Sequence, residues 1–373
     1  MKKVFYLTFN DAPSGIYAGQ VIDVCRYWQE ELGMQVTLVA FISVRGFSEN
    51  KKKIKSAFPN AIVVPMVPRA RNWRLNRFAL KRIVRRINPS VIVARGPFAA
   101  VMAMQFREKR KICFDGRGAY TAELKEYDAV PDEKVKREIF TLEKKAVMES
   151  DFRLSVSQAL VNYWKKEFGY PAGAHVVIPC TLNRSAFRTA GDFEAKRRSL
   201  GYEPEDIVIV YSGSGAGWQS LQALDEALLP WFERNEKLKL LLLLKTVPEN
   251  LQLNVKFPSR VKNTWLRPEE VREYISACDY GWLVREQSVT NAVASPVKFA
   301  EYLSAGLRVI ISPGLGDYSG FVHAHSAGIC WDKNETAVSF ERTPAAEKER
   351  LAQLAAVSFT KETYREQYLQ LLA

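Results

Sequence analysis

The sequence predicts an α/β protein built from two doubly wound parallel sheets. Three observations carry that prediction. Short apolar and β-branched runs alternate with helical patterns along the chain, the order that gives parallel sheets covered by helices. Twice, around residues 8–20 and 206–220, a strand passes through a glycine-containing loop into a helix, which is how such folds build anion sites. Finally, 373 residues are long for one core and comfortable for two domains of ordinary size.

In the first half, KVFYLT (3–8) is a strand, followed by the loop NDAPSGIYAGQ and the helix QVIDVCRYWQEELG. Gly15 and Gly19 stand alone there, short of a G-x-G-x-x-G fingerprint. The strands QVTLVAFIS (35–43) and AIVVPMV (61–67) lead to a basic helix over 69–86, RARNWRLNRFALKRIVRR. PSVIVARG (89–96) is the next strand, and a helix from Pro97 carries Ala99, Ala100, Val101 and Met104. KICFDGRG (111–118) is a strand ending in a charged tip, Asp115-Gly116-Arg117-Gly118, with Glu123 shortly after. Ligands of wound sheets bind beyond the carboxyl ends of the strands, so the tip is a candidate site. An internal Asp–Arg salt bridge that stiffens the loop fits the same residues. The charged stretch 123–150 reads as a solvated helix. FRLSVSQALVNYWKKEFG (152–169) gives a strand, a serine and a helix; HVVIPCTLNRSAF (175–187) leads out of the domain, with a boundary near 188.

The second half opens with DIVIVYSGSGAGWQS (206–220), a buried strand, a loop with Gly213, Ser214, Gly215 and Gly217, and a helix from about Gln219. Bare backbone N–H groups in such a loop can approach a diphosphate closely. LKLLLLLK (238–245) is strand-length and ends in Lys245; Val261–Trp265 is a further short strand. RPEEVREYISACDYGWLVR then gives a helix, an Asp and a strand ending at Arg285. The segment SPVKFAEYLSAGLRVIISPG (295–314) organises this half. Ser295 suits an N-cap and Pro296 the first helical position. Phe299, Tyr302 and Leu303 recur at helical spacing, Gly306 suits a left-handed helix end, and a β-branched strand follows. Lys298 is the anomaly, because a cation in the first turn opposes the helix dipole unless an anion sits there too. Glu301 shares its face and could accept hydrogen bonds from a diol beside that anion. A surface i,i+3 Lys–Glu pair worth a few tenths of a kcal/mol (~0.3) fits the spacing equally.

Composition narrows the class. Hydrophobic content of 47% with 25% charged residues belongs to a globular chain, and no apolar run approaches the length of a membrane span. The N-terminal MKKVFYLTFNDAPSG reaches Asn10-Asp11 before any signal-peptide core forms, so it reads as a strand. Five cysteines without paired spacing read as reduced thiols in cytoplasm. Three histidines and no H-x-x-x-H or D-x-D pair give no support for a metal site, and none is expected. The net charge of +13 predicts a surface that attracts polyanions. It is densest at 69–86, where Arg77, Lys81 and Arg85 follow at i, i+4, i+8 and Phe78, Ile83, Val84 and Ile87 supply another face. Such a helix can lie on an anionic membrane, or be an ordinary surface helix of a basic protein. No nucleic-acid-binding pattern accompanies the charge, and no nucleic-acid partner is expected.

The run Ser-Pro-x-Lys-x-x-Glu-Tyr-Leu-x-x-Gly followed by a Val-Ile strand resembles the donor-nucleotide segment of GT-B glycosyltransferases, family 4 and its close relatives. The resemblance implies two Rossmann-like domains facing across a cleft: 1–188 on the acceptor side and 189–355 binding the nucleotide sugar. A C-terminal helix within 356–373 would pack back on the first domain. It implies that Glu301 binds the ribose, that the turn at Ser295 and Pro296 lies against the diphosphate, and that the first loop, with Gly15, lines the cleft. Diphosphate charge would be met by Gly213, Ser214, Gly215 and Lys298, with Lys245 and Arg285 behind them. The D-x-R-G tip is similar to one in some relatives from polysaccharide gene clusters. There Arg117 would suit an acceptor phosphate or hydroxyl, Asp115 would orient the acceptor, and Glu123 stands nearby. Asp115, Arg117 and Lys298 are the residues expected at the chemistry. The chain departs from the family at three places. Val293 stands where many members carry the first Glu of E-x7-E, so either the loop is rearranged or Asn291 or Ser288 takes over that contact. Trp218-Gln219 replace the usual basic K-G pair, and the histidine often placed near the reacting carbon has no counterpart.

The expected activity is sugar transfer from a nucleotide diphosphate sugar to a hydroxyl acceptor, retaining and without cofactor or metal. The acceptor would be a lipid-linked or growing cell-surface glycan, met at the inner face of the cytoplasmic membrane. A non-catalytic protein on the same scaffold, binding polyanions or sugar nucleotides, and a sugar-nucleotide epimerase are the alternatives. The first is supported by Val293 and by the absent basic K-G pair; the second lacks a deprotonating acid/base constellation.

Overall fold

The computed structural model describes residues 2–127, 132–187, 193–213, 221–248, 251–333 and 338–373. The boundary expected near 188 lies outside the described residues, as do Ser214, Gly215, Gly217, Trp218 and Gln219. The chain divides into two compact units: 1–181 with 293–295 and 364–373, and 182–292 with 296–363.

In the first unit, β1 (Lys3–Phe9), β2 (Gln35–Ile42), β3 (Ile62–Pro65), β4 (Val91–Arg95), β5 (Lys111–Gly116), β6 (Phe152–Ser155) and β7 (His175–Val177) form one sheet. Its order is β3-β2-β1-β4-β5-β6-β7, and every pairing is parallel. The strands read as unbroken apolar runs because both faces are covered. Phe5, Leu7 and Phe9 of β1 enter the core on one face; Val4 and Tyr6 enter the other. Tyr368 of the helix Arg365–Leu372 packs against Trp28 and Tyr27 in that second core.

The second unit holds β8 (Ile207–Ser212), β9 (Leu238–Leu243), β10 (Val261–Asn263), β11 (Tyr280–Leu283), β12 (Arg308–Ile311) and β13 (Gly328–Cys330). Their order is β10-β9-β8-β11-β12-β13, again parallel throughout. Trp231, Trp282 and Trp331 meet in its core.

Three local expectations change. The basic segment is a 3-10 turn, Ala70–Asn76, followed by the helix Arg77–Ile87, which buries Leu80 and Val84 and leaves Phe78 exposed. The stretch 123–150 is two helices, Tyr120–Tyr127 and Glu133–Glu149, and the second buries Val135, Ile139, Leu142, Ala146 and Val147. Its apolar residues recur at helical spacing within a charged sequence, so it is amphipathic and not simply solvated. Ser295 does not cap the donor-segment helix. Pro296 is extended (ψ 123°), the helix runs Val297–Ser304, and the Ser295 Oγ instead accepts from the Cys180 N–H at 2.9 Å.

Candidate functional site

Each sheet has one place where the strand order reverses, and ligands of open α/β sheets collect beyond the strand ends there. In the second unit that place lies between β8 and β11. Beyond β8, the Lys298 Nζ donates to Ser212 Oγ at 2.9 Å and pairs with the Glu301 carboxylate at 3.1 Å. The i,i+3 pair is therefore present, but Lys298 also reaches a strand end 86 residues away in sequence. Both side chains keep an open edge, 24% and 33% exposed.

The helix is seated by close packing. Gly281 of β11 lies under the Tyr302 ring, where an added Cβ would come within 2.3 Å. That proximity lets the Tyr302 hydroxyl accept from the Ser212 N–H at 3.1 Å. The helix ends in a Schellman motif: Gly306 (φ 80°) donates to Leu303 and Leu307 to Tyr302. Its N-cap, Pro296, offers no side-chain cap and its first turn no acid. Beyond β11, the Arg285 N–H donates to Ser312 Oγ at 3.2 Å and its guanidinium to Asn291 Oδ1 at 3.3 Å. Asn291 is buried and donates to the Glu286 carbonyl, so its amide holds the loop and Arg285 together. Lys245 is exposed just past β9, at the same sheet edge.

The first unit reverses between β1 and β4. Here Asp115, at the end of β5, is wholly buried. The Tyr6 hydroxyl donates to it, and Arg117 meets it along one edge of its guanidinium, with Nε at 2.7 Å and Nη2 at 3.1 Å. Arg95, at the end of β4, lies 3.9 Å from Asp115 and 3.5 Å from Asp11. Gly116 is required by packing, since a Cβ there would meet Trp164 at 2.5 Å. Burial, with Asp115 beside it, holds the Tyr6 phenol well above its usual range. Burial also raises the Asp11 carboxyl, outweighing the pull of Arg95.

Residues 19–185 match the model of Glycosyltransferase Family 4. That decides the class. Residues 19–185 are a glycosyltransferase family 4 domain. No curated protein matches the sequence. Among solved structures, the chain is similar to Anabaena HepE in complex with UDP, at 13% identity and TM-score 0.74, covering 100% of this chain and 99% of that one. Sucrose-phosphate synthase from Thermosynechococcus elongatus is similar at 15% identity and TM-score 0.72, over 100% and 98%. WaaG, a glycosyltransferase of lipopolysaccharide biosynthesis, is similar at 14% identity and TM-score 0.59, over 99% and 94%. The two parallel sheets match GT-B structures, and the chain is a glycosyltransferase that takes its sugar from a nucleotide sugar.

Within this glycosyltransferase, the structure groups Lys298 and Glu301, groups Arg285 and Asn291, and joins Asp115 to Arg117. It sets Glu123 one helix away, half-buried, with no ion pair to Asp115 or Arg117 among the described residues; burial raises its carboxyl. Gly15 opens a short helical turn capped by Ser14, with open space around it. Gly213 ends the described part of its loop. Val293 is a core residue of the first unit, and its carbonyl accepts from Ser157 Oγ at 2.7 Å. A carboxylate at that position would lose its hydration without an evident cation to offset it. Sequence reasoning missed Asp11, Arg95, Tyr6 and Ser212. A signal existed for the first two: each is a charged residue at the end of a buried strand, the place where wound sheets hold ligands.

Proposed function

We propose that the β8 edge of the second unit binds the nucleotide diphosphate of the donor. The observation that carries this is Lys298, bridging Glu301 and Ser212 at the mouth of the sheet with its edge open to solvent. On this reading Glu301 holds the ribose diol. Lys298, the Gly213 backbone and the uncapped turn at Pro296 and Val297 meet the diphosphate, with Lys245 and Arg285 behind them. Fixed cations and N–H groups aimed at a leaving diphosphate stabilise its developing charge without a metal. The complexes of HepE with UDP and with UDP-glucose support a uridine donor. The family resemblance supports retention at the anomeric carbon and a glycan acceptor, lipid-linked or growing.

The test is a thermal-shift titration of wild type and Glu301→Ala with UDP, GDP, ADP and UDP-glucose. A ligand binding only the native state at a hundred times its Kd stabilises by about 2.7 kcal/mol. UDP should raise the wild-type midpoint, and the variant should need at least ten times more UDP. If no nucleotide stabilises the wild type, the donor reading fails.

The basic segment supports a peripheral membrane contact at the inner leaflet. Leu75 and Phe78 are exposed among Arg74, Arg77, Lys81, Arg85 and Arg86. Each cation near an anionic surface contributes about 1 kcal/mol. Vesicles of phosphatidylglycerol, but not phosphatidylcholine, should carry the protein down on sedimentation. Neutralising Arg77, Lys81, Arg85 and Arg86 should release it; unaltered partitioning would remove the membrane from the account.

A further inference from the structure

We propose that the Asp11–Arg95 pair is the acceptor-hydroxyl site of the first unit, with Asp11 accepting a hydrogen bond from the attacking hydroxyl and Arg95 donating to its oxygen. The inference rests on the donor reading above, because it assigns the other substrate of the same transfer.

Four observations converge on it. First, the pair straddles the strand-order reversal: Asp11 follows β1, Arg95 ends β4, and the two strands are neighbours. Second, the chain turns there deliberately. The Asn10 N–H still completes the ladder to Phe41 at 2.8 Å, but Asn10 itself is left-handed (φ 60°), which Asn tolerates better than most residues. Asp11 is thereby delivered over the strand ends. Third, burial separates the two carboxylates. Asp115 is closed off and occupied by Tyr6 and Arg117, whereas the Asp11 side chain is 36% exposed. Asp115 therefore acts as a positioning residue that holds the arginines. Fourth, Arg95 is poorly satisfied. Its side chain is only 12% exposed, its carboxylate contacts are long at 3.5 and 3.9 Å, and its buried Nη1 makes no hydrogen bond.

Charge decides the ligand class. Two guanidinium groups and two carboxylates cancel, so the group offers no surplus attraction to a phosphate or carboxylate. A neutral group that both donates and accepts fits a loose carboxylate–guanidinium pair. A sugar hydroxyl, or water in its place, is such a group.

The acceptor can be replaced by water, so the probe is slow release of UDP from UDP-glucose, UDP-galactose, UDP-N-acetylglucosamine and UDP-glucuronate. Asp11→Asn should lower kcat for UDP release at least tenfold. KM for the donor should stay within twofold, and the UDP-induced thermal shift should not change. Wild-type kcat should fall on the acid side, at a pH above the ordinary carboxylate range, because only ionised Asp11 accepts the hydrogen bond that orients the hydroxyl. The bond from the anomeric carbon to the diphosphate oxygen breaks as the hydroxyl oxygen bonds that carbon, and the proton leaves on the departing diphosphate. The charged and titratable groups facing Asp11 are Arg95, Arg117, Asp115, Tyr17 and Tyr120. The acid limb should vanish in Asp11→Asn and persist in Asp11→Glu; Asp11→Ser replaces the Asn variant if that one does not fold. Equal kcat and an intact limb in Asp11→Asn would overturn the site while leaving the donor reading in place. So would a wild type that UDP stabilises but that releases no UDP from any of the four donors. A wild type that UDP does not stabilise overturns the donor reading, and this inference with it.

Discussion

The two strand-order reversals solve opposite problems with similar residues. At the β1/β4 edge the charges are inside the protein: Asp115 is wholly buried, Arg117 and Arg95 nearly so, and the geometry is fixed before any substrate arrives. At the β8/β11 edge the Lys298–Glu301 pair is half-open and reaches the sheet through one hydroxyl. Buried charges depend on one another, because each has lost its water and only its partner compensates. Half-open charges are solvated on one side and can exchange a neighbour for a ligand at little cost. The first edge thus suits a neutral acceptor, which brings no charge of its own. The second suits a donor that brings a diphosphate.

The sharpest way to break this comparison is to truncate one carboxylate on each side. Asp115→Ala leaves two buried guanidinium groups short of their partner and should cost about 3–5 kcal/mol of stability. Glu301→Ala, which should cripple nucleotide binding, should change stability by no more than about 0.5 kcal/mol. Urea unfolding of the two variants beside wild type measures both. Similar costs would mean that the edges do not differ in the way described.

How much of this could be read beforehand followed from range in sequence. Lys298 and Glu301 are three residues apart on one helix, so periodicity alone placed them on a shared face. Both wound sheets were legible because their strands are unbroken apolar runs and the helices between them are amphipathic. Asp11 and Arg95 were not singled out, since 84 positions separate them and only the pairing of β1 with β4 brings them together. Asp115 was visible in its D-x-R-G turn, but not its burial. That depends on Tyr6, from the far end of the same unit's sequence, pointing down the strand into it. Ser295 was misplaced as a cap for a tertiary reason: its hydroxyl accepts from the Cys180 N–H, 115 positions away, and Pro296 is itself extended, so the helix begins at Val297.

A smaller effect tests whether the first edge is prepared in advance by its supporting helices as well. Glu143 is buried and accepts from the Tyr120 and Thr121 N–H groups at 3.1 and 2.8 Å, and from the Thr121 hydroxyl at 2.6 Å. It thereby caps the helix Tyr120–Tyr127, whose Tyr120 lies in the electrostatic field of Arg95 and Asp115. Burial nonetheless outweighs these bonds and pushes its carboxyl up to about 7. A carboxyl whose folded value lies above its unfolded one binds more protons when folded. Its contribution is therefore full below the ordinary glutamate range and declines as pH rises through 7. Stability should fall between about pH 5 and 7, by about 1 kcal/mol per unit at most. Glu143→Gln cannot ionise, so the urea midpoint of wild type should fall steadily relative to that of the variant across that window. A constant difference would mean that Glu143 keeps one protonation state throughout, and that the cap is indifferent to pH.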